Sequence, residues 1–192
     1  MQVFRDYSIT GLWFVWLIYW IVAARGGKPI RRHEGTASRL SHLLPLAFGL
    51  ALLLPRHLSE GWLTFRVVPP GTFWFWVGFV LVALGLGFAI AARIWLGSNW
   101  SGVVTLKEDH ALIRSGPYRW VRHPIYTGLL VALLGSVIAL GEARGLIALL
   151  LFAVAFLRRV TVEERLLGEE FGTAYSRYRR DVPALVPIRW RR

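Results

Sequence analysis

Long apolar runs alternate with polar blocks along this chain, and the alternation predicts helices that cross a membrane. A helix needs about 20 residues, at ~1.5 Å each, to span a hydrocarbon core of ~30 Å. The five predicted spans are 8–24, 40–54, 73–96, 124–141 and 145–157. We therefore predict an all-α integral membrane protein with about five transmembrane helices, a cofactor-binding loop and a helical C-terminal segment.

The third and last runs carry further predictions. Gly78, Gly85 and Gly87 are expected to offer small surfaces against which another helix packs closely. Arg93, near the end of the same run, is expected to extend its charge to the lipid headgroups. Only three residues separate the last two runs, which predicts a helical hairpin. Because the final run is short, its helix is expected to continue into 158–170, outside the membrane.

Charge sets the predicted orientation. The net charge is +12, and 19 of the 23 lysines and arginines lie in 25–39, 93–123 and 158–192. Since positive loops stay in the cytoplasm, we predict cytoplasmic polar blocks, a cytoplasmic C-terminus and an N-terminus outside. Basic residues beside apolar spans favour contact with membrane lipids over nucleic acid. The chain has no cysteine, which excludes disulfides and cysteine-based zinc sites.

The segment on which the chemistry depends, 110–128, begins in residues 97–123, which we call the first polar block, and ends in the apolar run that follows. Gly116 and Pro117 are turn residues, and His123 followed by Pro124 predicts the start of a helix. Backbone N–H groups at a helix start can bind a ligand carboxylate. His110 and His123 are each either structural hydrogen-bonding groups or ligand contacts. Arg119 and Arg122 are each either solvated cations or ligand contacts.

The second polar block begins at 158. Arg159 and Glu163 are four residues apart and share a helix face, so they form either a simple ion pair or a site for a ligand that carries both charges. A carboxylate at a membrane boundary is costly unless it is paired or functional. The stripe of Phe171, Tyr175 and Tyr178 is expected to pack on the bundle.

Two motifs occur in a fixed order. The first reads GPYRWVRHPIYTG over 116–128, and the second reads EERLLGEEFG over 163–172, followed by Tyr175, Tyr178 and Val182-Pro183. Together they resemble the isoprenylcysteine carboxyl methyltransferase family over about 95–187. The Arg-His-Pro element alone also resembles phospholipid N-methyltransferases and membrane sterol reductases.

The resemblance implies an integral membrane enzyme that transfers a methyl group from S-adenosylmethionine to the carboxylate of a lipidic or prenylated substrate. It implies two parts, three spans in 1–96 and a catalytic region in 97–192. It implies no metal. The residues expected to bind the cofactor are His110, Ala111, Leu112, Ile113, Tyr118, His123, Pro124, Ile125, Tyr126, Glu163 and Glu164. Arg159 is expected at the substrate, and Arg159 and Glu163 are the expected catalytic pair.

The residues suit this chemistry. Methyl transfer from a sulfonium is a one-step displacement, and a carboxylate nucleophile is already ionised at neutral pH. The protein must mainly align donor and acceptor and exclude water, so no nucleophile–base pair is expected. Our hypothesis is that Glu163 binds the positive or ribosyl part of the cofactor. The planar fork of Arg159 would orient the acceptor carboxylate.

Three alternatives remain open at this stage. One is a phospholipid or small-lipid N-methyltransferase with the same cofactor. Another is an NADPH-dependent sterol-type reductase. The third is a membrane scaffold or transporter, against which the absence of charge near the centres of the apolar runs counts.

Overall fold

The computed structural model describes residues 2–24, 30–33, 36–53, 61–97, 100, 105–107 and 111–188. Five helices follow one another: α1 Gln2–Ala23, α2 Thr36–Leu53, α3 Thr72–Leu96, α4 Pro124–Leu140 and α5 Ala143–Asp181. Two 3-10 turns cover Gly61–Thr64 and Gly116–Arg119. All five predicted apolar helices are therefore present. The predicted hairpin is α4–α5, and α5 continues well beyond its apolar run, as expected.

A short strand pair was not predicted. β1 (Ile30–His33) and β2 (Thr105–Lys107) pair antiparallel, with Arg32 opposite Leu106. Both lie in stretches that the sequence assigned to loops, because neither has an alternating apolar pattern long enough to indicate a strand. The pair ties the connection after α1 to the first polar block.

Two of the described helices, α3 and α5, are long and apolar enough to cross a membrane. Shorter apolar helices cover Tyr7–Ala23, Ser38–Leu53 and Pro124–Leu140. The helical fold is thus as expected, whereas the crossing of all five helices stays a prediction, as does the division at 96/97. α3 and α4 pack against each other across that division.

Glycines bring α3 and α4 into backbone contact. A Cβ on Gly85 would lie 2.5 Å from the carbonyl oxygen of Gly128. A Cβ on Gly78 would lie 2.4 Å from the carbonyl oxygen of Gly135. The expectation for these two glycines is confirmed. It is wrong for Gly87, where an added Cβ would meet no described atom within 4 Å, because Gly87 faces away from α4.

Arg93 does not extend to the headgroups. Its side chain is buried, Nη2 donates to the Ala23 carbonyl at 2.7 Å, and Nη1 donates to the Gly97 carbonyl at 2.9 Å. The guanidinium also lies 4.2 Å from the ring centroid of Trp100. The prediction failed because the last carbonyls of two helices, α1 and α3, lack partners within their own helices and meet here, where one arginine donates to both.

At the other end of α4, a buried ion pair closes the hairpin. Arg144 Nε lies 2.7 Å from Glu142 Oε2, and both side chains are almost fully buried. Arg144 Nη1 also donates to the carbonyl of Leu52, at the end of α2. The hairpin and α2 are therefore fastened at the end opposite His123.

Candidate active site

Three elements form the site. They are the 3-10 turn Gly116–Arg119, the start of α4, and the part of α5 just after its apolar run. α4 and α5 run in opposite directions from their shared turn. The start of α4 therefore lies beside α5 residues that are about equally far from that turn, and Glu163 and Glu164 face His123.

The turn fixes Tyr118. Gly116 has a φ of +57°, and a Cβ there would collide with the ring of Trp95. Tyr118 is buried, its hydroxyl donates to the Ala92 carbonyl at 3.4 Å, and its own carbonyl accepts a hydrogen bond from the Tyr178 hydroxyl at 2.6 Å. Burial, with the nearby charge of Glu163, raises the pKa of Tyr118 well above its ordinary value. The side chain is therefore a neutral donor.

Residues 182–185, which we call the C-terminal strap, lie along the start of α4. The backbone N–H groups of Arg122 and His123 donate to the carbonyls of Pro183 and Ala184, at 2.9 and 3.0 Å. Thr127 Oγ1 lies 2.7 Å from the carbonyl oxygen of Leu185. Because the N–H groups of Arg122 and His123 are already satisfied, the expectation that this helix start binds a ligand carboxylate does not hold for them.

Glu164 is buried among basic groups. Arg122 donates to Oε1 from Nε at 2.9 Å and from Nη2 at 2.6 Å. His123 Nε2 is 3.2 Å from the same oxygen, and Arg179 Nε is 3.4 Å from Oε2. Burial alone would raise the pKa of Glu164, but the hydrogen bonds from His123 and Arg122 lower it to about 2. Glu164 is an ionised anchor.

Glu163 is in a different position. Its side chain is 37% exposed, against 9% for Glu164. Oε2 accepts a hydrogen bond from the Tyr126 hydroxyl at 3.2 Å and lies 3.7 Å from His123 Nδ1. Of the two neighbouring carboxylates, Glu163 is thus the one that a ligand can reach.

Tyr126 stands between Arg159 and Glu163. Its hydroxyl accepts a hydrogen bond from Arg159 Nε at 3.1 Å and donates one to Glu163. Its ring is stacked between His123 and Phe156, with centroid distances of 5.8 and 5.3 Å. Arg159 and Glu163 share a helix face, and both therefore hydrogen-bond to the hydroxyl of a third side chain, Tyr126.

Comparison with known proteins identifies the family of this chain. A sequence model of the isoprenylcysteine carboxyl methyltransferase family matches residues 76–169. The chain is 30% identical over 173 residues to a probable protein-S-isoprenylcysteine O-methyltransferase of Oryza sativa subsp. japonica, covering 88% of each chain. The chain belongs to the isoprenylcysteine carboxyl methyltransferase family. The sequence-based prediction of that family is confirmed.

Two further relatives extend the comparison. A protein-S-isoprenylcysteine O-methyltransferase of Schizosaccharomyces pombe is 35% identical over 113 residues, which are 56% of this chain and 47% of the relative. A solved structure of a eukaryotic intramembrane Ras methyltransferase, isoprenylcysteine carboxyl methyltransferase, aligns with a TM-score of 0.52 at 25% identity. The alignment covers 79% of this chain and 50% of that one. The chain thus spans about half the length of these two family members.

Within this family member, the structure groups some of the predicted site residues. His123, Tyr126, Arg159, Glu163 and Glu164 form the connected set described above, and Tyr118 belongs to the core cluster against which Tyr126 packs. Pro124 and Ile125 are buried in the first turn of α4. The cofactor contacts of these residues stay predictions.

The remaining predicted contacts lie in the segment before the turn. Leu112 packs against the cluster of Tyr175, Tyr178 and Val182, and Ile113 packs against the main core. Ala111 is exposed, and His110 lies outside the described residues. The stripe of Phe171, Tyr175 and Tyr178 packs with this segment and Val182 in a cluster separate from the main core, whereas packing on the bundle was expected.

Sequence reasoning missed the full role of Arg122. Its side chain is 8% exposed, and Nη1 donates to the carbonyls of Arg179 and Val182, besides the bonds of the guanidinium to Glu164. No local signal identifies such a group, because its partners are far away in the sequence. The Val182-Pro183 element of the family motif was the only hint that the strap matters. Arg119, in contrast, is exposed against Trp120.

Proposed function

We propose that this protein transfers a methyl group from S-adenosylmethionine to the carboxylate of a prenylated cysteine or a similar lipidic acid. The convergence of Arg159 and Glu163 on the Tyr126 hydroxyl carries the proposal. It places one cationic and one anionic side chain within reach of a common point at the end of an apolar helix pair. That is what a reaction between a cationic donor and an anionic acceptor requires.

The donor side is formed by Tyr118, His123, Tyr126 and Glu163. Glu163 fits a cationic ligand group because it is the more accessible carboxylate and because Tyr126 already orients it. The stacked rings beside it suit the apolar and aromatic parts of the donor. When bound, S-adenosylmethionine supplies an electrophilic methyl group on a sulfonium.

The acceptor side is formed by Arg159. Its stem lies beside the apolar run of α5, and its guanidinium is held by Tyr126 and lies 5.8 Å from the centroid of that ring. A planar guanidinium binds both oxygens of a carboxylate and fixes the direction of its lone pairs. A lipid tail on the acceptor would remain among the apolar helices.

The residues act by alignment. An ionised carboxylate needs no general base, so no side chain has to take up a proton. Arg159 would hold the acceptor, Glu163 would hold the donor, and the hydroxyl between them would fix their separation. Well-aligned reactants gain effective concentrations of about 10⁵–10⁸ M. Excluding water strengthens both charge contacts.

The proposed arrangement in the membrane follows from the charge pattern. Five spans would leave the site, the basic blocks and the C-terminus in the cytoplasm, and the N-terminus outside. The three spans of 1–96 would precede the catalytic region of 97–192. A water-soluble donor would then reach the site from the cytoplasm, while a lipidic acceptor would reach it from the bilayer.

The test is methyl transfer by detergent-purified protein. Radiolabelled S-adenosylmethionine is supplied with N-acetyl-S-farnesylcysteine, with the methyl ester of that compound, or with phosphatidylethanolamine. We expect label only on the free acid, because the ester has no nucleophilic carboxylate. Label on the phospholipid amine would replace the proposal with N-methylation. A folded protein that binds no S-adenosylmethionine in calorimetry, with and without the acid, would overturn it.

A further inference from the structure

Glu164 has almost no capacity left for a ligand. Its two oxygens meet Arg122, His123 and Arg179, and the side chain is 9% exposed. Two of these contacts are charge-assisted bonds from one guanidinium to Oε1. A cofactor group would have to displace one of them and leave a buried charge unpaired, which is costly. Glu164 therefore differs from Glu163, although the two are adjacent.

Arg122 links Glu164 to two other segments through hydrogen bonds. Its Nη1 donates to the carbonyl oxygens of Arg179, in the last turn of α5, and of Val182, the first residue of the strap. The backbone N–H of Arg122 donates to the carbonyl of Pro183. Arg122, the residue before His123, thus contacts the middle of α5, the end of α5 and the strap.

We infer that Glu164 is a positioning residue: with Arg122 it forms a clasp that fixes the His123 imidazole and holds the C-terminal strap against the start of α4. The inference rests on the proposed function, since His123 belongs to the proposed donor side. It departs from the sequence-based expectation that Glu164 touches the cofactor. Without the clasp, the His123 ring and the strap lose their common support, and the donor site loses its shape.

Ligand analogues distinguish positioning from contact. S-adenosylhomocysteine lacks the sulfonium charge of S-adenosylmethionine but has nearly the same shape. If Glu164 acts through His123 and the strap, Glu164→Gln weakens both ligands by the same factor, at least about tenfold, because small misplacements are costly. A direct contact with the sulfonium would change the ratio of the two affinities. Glu163→Gln, at the proposed contact, is expected to change that ratio.

The experiment measures both affinities by calorimetry for the wild type, Glu164→Gln, Arg122→Lys and Glu169→Gln. Lysine keeps the charge of Arg122 but cannot bind the carboxylate and the carbonyls together. Glu169 is a matched control on the exposed side of α5, where its carboxylate lies 4.0 Å from Arg165 and away from the clasp. We expect equal weakening of both ligands in the first two variants and changes below twofold in the control. A changed ratio in Glu164→Gln, or wild-type affinities in both clasp variants, would overturn the inference.

Amide hydrogen exchange gives a second readout that needs no ligand. The N–H groups of Arg122 and His123 are protected by the strap, so peptides covering 119–127 and 178–186 should exchange faster in either clasp variant. Other helices should keep their wild-type rates, which a general loss of stability would not allow. Unchanged exchange in these peptides would refute the clasp. If the wild type binds no S-adenosylmethionine, the proposed function fails, while the exchange result still decides the clasp.

Discussion

Arg159 donates a hydrogen bond from Nε to the hydroxyl of Tyr126 at 3.1 Å. The same hydroxyl donates to Glu163 at 3.2 Å, so both charged side chains contact it. If Arg159 holds the acceptor and Glu163 the donor, this hydroxyl sets the distance between the two reactants. It can do so without taking part in any bond change.

Removing that hydroxyl should slow methyl transfer. Tyr126→Phe keeps the ring stack with His123 and Phe156. It removes one hydrogen-bond partner from Arg159 and one from Glu163. A hydrogen bond to a charged group contributes about 1.5–3 kcal/mol, so we expect kcat to fall roughly 10- to 100-fold. Steady-state kinetics with both substrates measure this loss. The control is Tyr7→Phe, at an exposed tyrosine of α1, and equal activity in the two variants would contradict the role of Tyr126.

Arg159→Ala should separate activity from donor binding. Loss of the guanidinium removes the proposed acceptor contact, so turnover should fall at least about 100-fold, the range for loss of an aligning charge. Calorimetry should still show S-adenosylmethionine binding within a few-fold of the wild type.

The control for this experiment is the next residue. Arg158→Ala removes an exposed arginine that contacts Ser38 and Ser41 on α2, and it should leave turnover nearly unchanged. Equal loss of donor binding and turnover in Arg159→Ala would refute the division of roles between Arg159 and Glu163.

The low pKa of Glu164 predicts an acid-sensitive fold. Its pKa falls from 4.5 in the unfolded chain to about 2 in the folded protein, so the folded state binds fewer protons. The resulting stability is present above pH 4.5 and is lost as the pH falls from 4.5 towards 2. Thermal unfolding in detergent should therefore show that the free energy of unfolding declines between pH 6 and 3. Glu164→Gln should reduce that decline by ~1–3 kcal/mol. An identical pH dependence in the two proteins would show that Glu164 is not the group responsible.

The contact between α3 and α4 offers a matched pair of glycine substitutions. Gly85→Ala would place a Cβ 2.5 Å from two backbone atoms of α4, so the helices must separate. Such overpacking costs about 1–3 kcal/mol, and a clear fall in Tm is expected. Gly87→Ala has no such neighbour among the described residues and should be neutral or slightly stabilising. Equal Tm values for the two variants would contradict the packing described above.

The sequence was sufficient to predict the helices, because a membrane helix requires a long apolar run and these runs are visible. One of its errors concerns which face of a helix a residue occupies. Gly78 and Gly85 are seven residues apart and lie on one face, whereas Gly87 is about 200° round from Gly85 at 100° per residue. Helical periodicity alone could have excluded Gly87. Arg93 could not have been placed, since its partners are carbonyls at the ends of two separate helices.

The site was predicted in part because its family motif is local, from Gly116 to Gly128 and again from Glu163. What the motif does not state is which of two adjacent glutamates faces inward. That choice depends on Arg122, whose backbone and side chain bind groups about 40 and 60 residues away. Contacts over such separations leave no periodic trace in one sequence.

The strap has a consequence for the order of synthesis. Helices α3 and α4 can meet as soon as both have been made, but the backbone N–H groups of Arg122 and His123 donate to Pro183 and Ala184, which follow α5 in the chain. The proposed donor site therefore cannot be completed before residue 185 has left the ribosome. A nascent chain that already contains every helix would contact the His123 ring through Glu164 but would lack the backbone support of Arg122 and His123, so the proposed methyl transfer should begin only after the strap is made.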